Sequence, residues 1–208
     1  MSMLDLAKFS ASPLCRDPFD YLVVPGFLKP DSRARVNADY PKVDRPGSFP
    51  LSEVSGGPKF DALIDELRGD PMREAFEAKF GLDLQGRPTM FTVRGRCWEK
   101  DGRIHTDSAT KIITVLIYMN SSWEESGGRL RLLRSGTDLD DMVAEVPPEE
   151  GTLVCFRRSA NSWHGHKPFV GPRRAIQMNW VTSHKVLQYE QRRHRVSAFF
   201  KKVLLRAS

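Results

Sequence analysis

Cysteine is scarce in this chain of 208 residues. There are three, Cys15, Cys97 and Cys155, far apart and odd in number. That spacing argues against a disulfide framework and fits a reducing compartment. No apolar run reaches the roughly 20 residues that a membrane-spanning helix needs. The opening MSMLDLAKFSAS lacks the basic start and long apolar centre of a secretion signal, so a cytoplasmic location is the expectation. Histidine is sparse as well: His105, His164, His166, His184 and His194 are the whole supply. Spread-out positive charge is also missing. Residues 184–208 carry seven basic residues and one acid, which equals the whole formal net charge of +6. The rest is near neutral, and no nucleic-acid partner is expected for it.

Apolar residues make up 40%, enough for a sizeable core in one domain, residues 1–183. Residues 1–17 read as an irregular lead-in. Phe19 to Phe27 reads as a strand closed by Pro25-Gly26, and Ser32 to Tyr40 as a short helix. Asp44 to Gly57 is rich in Pro, Gly and Ser and reads as a loop with room for a short strand. Phe60, Leu63, Ile64 and Leu67 repeat at helical spacing. Asp70-Pro71 suits an N-cap and first turn, opening a helix that ends at Gly81.

After Pro88 the period changes to that of strands. Met90–Cys97, Lys111–Met119, Leu130–Leu133, Met142–Val146, Thr152–Phe156 and Arg174–Val181 are the candidates, with polar loops between them. Lys111–Met119 is nearly continuous in apolar and β-branched residues, as a strand buried on both faces requires. Helices first and many short strands after argue for an α+β chain whose β part is a sandwich or barrel. From residue 184 the period is helical again: Val196, Phe199, Phe200, Val203 and Leu204 share one face, with basic residues elsewhere.

His105-Thr106-Asp107 precedes the Lys111–Met119 run. In a strand, His105 and Asp107 would project to the same side. A histidine from a distant strand could complete a face of two imidazoles and one carboxylate, the ligand set of non-haem Fe(II) oxygenases. His-x-Asp alone is a weak signal. The ordered combination is stronger: His164 follows Asp107 by 57 positions, and Arg173 follows His164 by nine. His166 stands as an alternative to His164, and Arg174 to Arg173. Strand alternation bears on the second pair. With Arg173 inward, Ala175, Gln177 and Asn179 face inward too, and Ile176, Met178 and Trp180 turn towards the helices.

The segments R-I-H-T-D, K-I-I-T-V-L-I-Y-M-N, W-E-E-S-G-G-R-L-R-L and H-G-H-K-P-F-V-G-P-R-R-A-I-Q resemble the iron- and 2-oxoglutarate-dependent dioxygenases. The resemblance is to the prolyl-4-hydroxylase-like branch, which includes the oxygen-sensing prolyl hydroxylases, and covers about residues 87–182. It implies a double-stranded β-helix, or jelly roll, with the N-terminal helices packed on one sheet. It implies His105, Asp107 and His164 as the Fe(II) ligands, with Pro168 and Arg173 in the family's register. Arg173 and Tyr118 then bind the distal carboxylate of 2-oxoglutarate. An arginine suits that role because its planar fork grips a carboxylate through two bonds. The implied cofactors are Fe(II), 2-oxoglutarate and molecular oxygen. The implied reaction hydroxylates a substrate and releases succinate and carbon dioxide. Asp107 disfavours a halogenase, since the halogenases of this kind lack that carboxylate.

The substrate, protein or small molecule, is not identified by these segments; a protein prolyl residue is preferred. Arg94, Arg96 and Trp98 alternate along one strand and are the candidate substrate wall. The tail, residues 184–208, is expected to form a basic amphipathic helix for packing, dimer contact or peripheral membrane contact. Two other readings stay open: a jelly-roll binding module without turnover, and a cupin-type metal enzyme that does not use 2-oxoglutarate. Cupins of that type use more histidines than this chain supplies.

Overall fold

The computed structural model describes residues 2–149, 151–190 and 192. The lead-in is not irregular. It holds a short helix, α1 (Leu6–Ala11), capped by the Asp5 carboxylate, which accepts from the Lys8 N–H at 2.9 Å. Six residues are too few for a helical period to show in sequence. Phe9 fixes α1 by stacking on Phe76 at 4.5 Å. Strand β1 (Tyr21–Val24) leads to α2 (Pro30–Ala38), then β2 (Phe49–Pro50) and a single 3-10 turn, Leu51–Glu53.

Helix α3 (Pro58–Arg68) carries the expected buried face, Phe60, Leu63, Ile64 and Leu67, and α4 (Asp70–Phe80) buries Met72, Phe76 and Phe80. Asp39 closes the start of α3 from outside, accepting from the Lys59 N–H at 2.7 Å. The expected cap of α4 is displaced by one residue. Gly69 is the N-cap, and the Asp70 carboxylate pairs instead with Arg73 at 3.2 Å. Gly81 ends α4 in the left-handed region, φ 64°, which a residue without Cβ enters freely.

Seven strands follow: β3 (Thr89–Cys97), β4 (Lys111–Tyr118), β5 (Leu130–Leu133), β6 (Met142–Val146), β7 (Leu153–Arg157), β8 (His164–Gly165) and β9 (Gly171–Val181). With β1 and β2 they form two sheets, ordered β1-β7-β4-β9-β3-β2 and β6-β5-β8, with every strand pairing antiparallel. This is the expected jelly roll. The larger sheet has two working faces. Ile113, Val115, Ile117, Ile176, Met178 and Trp180 pack outward on the helices, where Phe76 meets Trp180 at 4.8 Å. Tyr118, Val154, Phe156 and Ala175 turn inward against Leu130, Leu132 and Val146 of the smaller sheet. Alternation thus gives β4 and β9 one face for the core and one for the space between the sheets.

At the Arg94/Ala175 pair the β3–β9 register shifts, and the next pairing is Arg96 with Pro172, which has no N–H. The Tyr40 hydroxyl lies within reach of the carbonyl oxygens of Arg94 (2.8 Å) and Ala175 (3.0 Å). Burial pushes its ionisation well up, so it serves as a neutral donor. The tail begins as expected with a helix over 184–190, opened by Ser183. The face from Val196 to Leu204 lies outside the described residues, and so do the contacts expected of it. Among the described residues no helix is long and apolar enough to cross a membrane.

Candidate metal centre

Between β3 and β4 the chain crosses the mouth of the space between the sheets. His105 does not sit inside a strand, as alternation had suggested. It forms an isolated bridge with His164: each backbone N–H donates to the other's carbonyl at 3.0 Å. The bridge lays the two rings side by side, 4.3 Å between centroids. Asp107 is drawn to the same point from the other direction. Its Oδ1 accepts from Lys111 Nζ at 2.7 Å and its Oδ2 from the Thr114 hydroxyl, both on β4. One donor atom from each of His105, Asp107 and His164 lies within 4.8 Å of the others.

The hydrogen bonds select the tautomers. His105 Nδ1 lies 2.8 Å from the Arg103 carbonyl and His164 Nδ1 3.0 Å from the Ser162 carbonyl. A carbonyl only accepts, so each Nδ1 carries a proton and Nε2 is the nitrogen left to face a metal. Burial pushes the His164 imidazole down to about 4, against the pull of Asp107. Burial also opposes charge on Asp107, but Lys111, His164 and the Thr114 hydroxyl outweigh it and hold the carboxyl at about 2. At neutral pH His164 is neutral and Asp107 ionised, as a divalent metal requires. Two nitrogens and one carboxylate on one side suit Fe(II) with positions left open.

These residues line a cavity of about 130 Å³ that also meets Arg94, Arg173 and Gln177. Arg173 is 5% exposed and points inward, while Arg174 is exposed and lies over the Tyr40 ring at 5.6 Å. Arg173 Nε donates to the Gly128 carbonyl at 2.7 Å, and its Nη2 donates to the Tyr118 hydroxyl at 3.3 Å. Among the described residues no carboxylate pairs with it. A buried guanidinium without a counter-charge is costly, and an incoming carboxylate removes that cost. Burial raises the Tyr118 phenol against the opposing pull of Arg173, so Tyr118 stays a neutral hydroxyl.

The three wall residues are not placed alike. Arg94 lines the cavity, held by Asp101 at 3.0 Å and the Ser48 hydroxyl at 3.2 Å. Arg96 does not line it, because the register shift after Arg94 breaks the alternation that would have aligned the two. Trp98 lies past the end of β3, 52% exposed and outside the cavity. His166 lines the cavity without joining the converging three, and its Nδ1 faces the Lys167 carbonyl at 2.8 Å. Gly102 makes room for it: at φ 89°, an added Cβ would lie 2.4 Å from His166 Nδ1. Reading the sequence overlooked Lys111 and Thr114. The signal for Thr114 was present, since it sits four residues before Tyr118 on the same face of β4.

Residues 96–200 match the family model described as the 2OG-Fe(II) oxygenase superfamily. Among solved structures, the chain is similar to a Pseudomonas putida prolyl-4-hydroxylase, with 19% identity and a TM-score of 0.51 over 86% of this chain and 97% of that one. A Phytophthora capsici prolyl 4-hydroxylase gives 18% identity and a TM-score of 0.58, over 90% and 68%. HygX from Streptomyces hygroscopicus, solved with nickel and 2-oxoglutarate bound, gives 12% identity and a TM-score of 0.53, over 79% and 82%. At these identities the likeness is one of fold. No curated protein matches the chain.

Proposed function

The chain belongs to the 2OG-Fe(II) oxygenase superfamily, and from that premise we propose how its residues divide the work and what they act on. It is a 2-oxoglutarate-dependent non-haem iron dioxygenase, a hydroxylase. Bound iron and oxygen supply the oxidising chemistry, coupled to conversion of 2-oxoglutarate to succinate and carbon dioxide. His105 and His164 hold the metal through Nε2, and Asp107 through its carboxylate. Lys111 and Thr114 keep that carboxylate ionised and oriented.

Arg173, with the Tyr118 hydroxyl beside it, takes the distal carboxylate of 2-oxoglutarate. The observation that carries this reading is the Arg173 fork: buried, without a carboxylate partner among the described residues, and lining the same cavity as the three metal-ligand candidates. Asp107 and His164 are buried, which strengthens each charge contact they make.

A prolyl residue of a protein or peptide is the preferred substrate. The jelly roll shared with two prolyl 4-hydroxylases supports that preference. Arg94 would meet the substrate inside the cavity, and Trp98 would meet it only outside.

Anaerobic addition of Fe(II) and then 2-oxoglutarate tests the reading. A weak visible charge-transfer band that needs both supports it. Iron bound without the band would favour a cupin-type metal enzyme. Binding of neither would leave a jelly-roll module that binds without turnover.

A further inference from the structure

A chain of hydrogen bonds runs across the inner face of the large sheet, from Asp107 back into the cavity. The Thr114 hydroxyl donates to Asp107 Oδ2. Asn179 Nδ2 donates to Thr114 Oγ1 at 2.8 Å. Gln177 Nε2 donates to Asn179 Oδ1 at 3.1 Å. Asn179 is fully buried, and Gln177 is partly exposed at the cavity wall.

The direction of this relay follows from its first member. An ionised carboxylate only accepts, so the single Thr114 proton points to Asp107. The Thr114 oxygen is then left as an acceptor and takes the Asn179 amide N–H. That fixes the Asn179 carbonyl on the other side, where only a donor fits, so Gln177 presents its NH2. The Gln177 carbonyl oxygen is the atom left over, with no protein partner among the described residues. An amide orientation is ordinarily a choice between two nearly equal shapes. Here one charge at the end of the relay makes the choice for both amides.

Resting on the reading of His105, Asp107 and His164 as metal ligands, we propose that Asn179 and Gln177 are positioning residues for the Asp107 carboxylate, and that the relay turns the Gln177 carbonyl to the cavity as an acceptor for an N–H or O–H group of the substrate. The row containing Thr114 and Asn179 is next to the metal side, and Gln177 lies one row further in, paired with Leu116. Tyr118 and Ala175 follow in the row beyond. Gln177 therefore stands between the metal and the Arg173 end. The aliphatic middle of 2-oxoglutarate offers no donor to it, so a donor belonging to the substrate is the group it would read.

Two measurements test this without turnover. The first is Co(II) binding to the metal-free protein, followed by its visible spectrum. Thr114→Val should weaken Co(II) by roughly tenfold or more, the effect usual when a ligand loses its outer partner, whereas Thr114→Ser should bind like the parent. Gln177→Leu, at a partly exposed position where folding is less at stake, should weaken it by less and in the same direction. The second is the side-chain amide NMR of Gln177 in the metal-free protein, assigned by its disappearance in Gln177→Glu. One of its two protons should be hydrogen-bonded in the parent and in Thr114→Ser, and released in Thr114→Val. A parent that binds no Co(II) refutes the metal reading itself. A parent that binds it with Thr114→Val and Gln177→Leu unchanged refutes the positioning role alone. Gln177 protons identical in the parent and in Thr114→Val refute the assigned acceptor.

Discussion

Replacing Arg173 by Met separates what the guanidinium does for the fold from what it does for the cosubstrate. In the free protein Arg173 is buried with two neutral acceptors, the Gly128 carbonyl and the Tyr118 hydroxyl, and no carboxylate among the described residues. Methionine gives up those two hydrogen bonds, each worth about 1.5–3 kcal/mol to a charged group. It also removes an uncompensated buried charge, and apolar replacement of buried ionic groups is often neutral or stabilising by about 1–4 kcal/mol. The second offsets part of the first, so the melting temperature of the ligand-free protein should fall by less than the lost hydrogen bonds alone would require. Binding should not escape so lightly. Truncating one side of a buried charge pair costs about 2–5 kcal/mol, or about 30-fold and upward in affinity.

Thermal unfolding of the Fe(II)-loaded, anaerobic protein reads both quantities. At 2-oxoglutarate 100 times the parent dissociation constant, the parent gains about 2.7 kcal/mol. That is roughly 5–11 °C for a chain of this size. A 30-fold weaker variant gains only about 0.9 kcal/mol at the same concentration. Arg174→Ala, at an exposed position over Tyr40, should keep the full shift. A full shift in Arg173→Met, or its loss in Arg174→Ala, would falsify the assignment.

Three further outcomes follow from the same geometry. Burial holds both His164 and His166 at about 4, below the ordinary 6.5. The unfolded chain therefore binds protons first, so stability of the metal-free protein is full above about pH 6.5 and falls as the pH drops towards 4, by on the order of 3 kcal/mol per histidine; His166→Asn should flatten this slope in denaturant titrations at pH 7 and pH 4.5. Phe76→Ala empties the space between Phe9, Phe80 and Trp180 and should destabilise by about 3–5 kcal/mol, while 2-oxoglutarate affinity, measured well below the melting temperature, stays that of the parent. Gly102→Ala places a Cβ on His166 at a positive φ and should weaken 2-oxoglutarate binding more than it lowers the melting temperature, since His166 lines the cavity; equal loss of both would make Gly102 a merely structural residue.

Much of this could be read from residue order, and the reasons differ by element. The face of α3 was legible because four apolar residues repeat at helical spacing, and the span of α4 because Asp70-Pro71 and Gly81 mark its ends. The inward turn of Arg173, Ala175 and Gln177 was legible because a regular strand has a strict period of two. The same argument failed for Arg96 and Trp98, since a register shift and a strand end are tertiary events with no local signature. His105 and Asp107 do meet, but through a bridge to β8 and a side-chain clasp from β4, neither of which a strand template contains. Helix α1 was too short to show a period, and its anchor, Phe9 on Phe76, joins residues far apart in the chain.

The phenol of Tyr40 gives the cavity an external adjustment. Where β3 and β9 lose their register and Pro172 has no proton to offer, one hydroxyl on the helix side serves the carbonyls of Arg94 and Ala175. The side chain of Arg94 and the backbone that carries Arg173 are thus held at their spacing by a strut that never enters the space between the sheets. That ring is seated in turn against Phe60 of α3, edge to face at 5.7 Å. A change at position 40 would remove that strut without substituting any residue that lines the cavity.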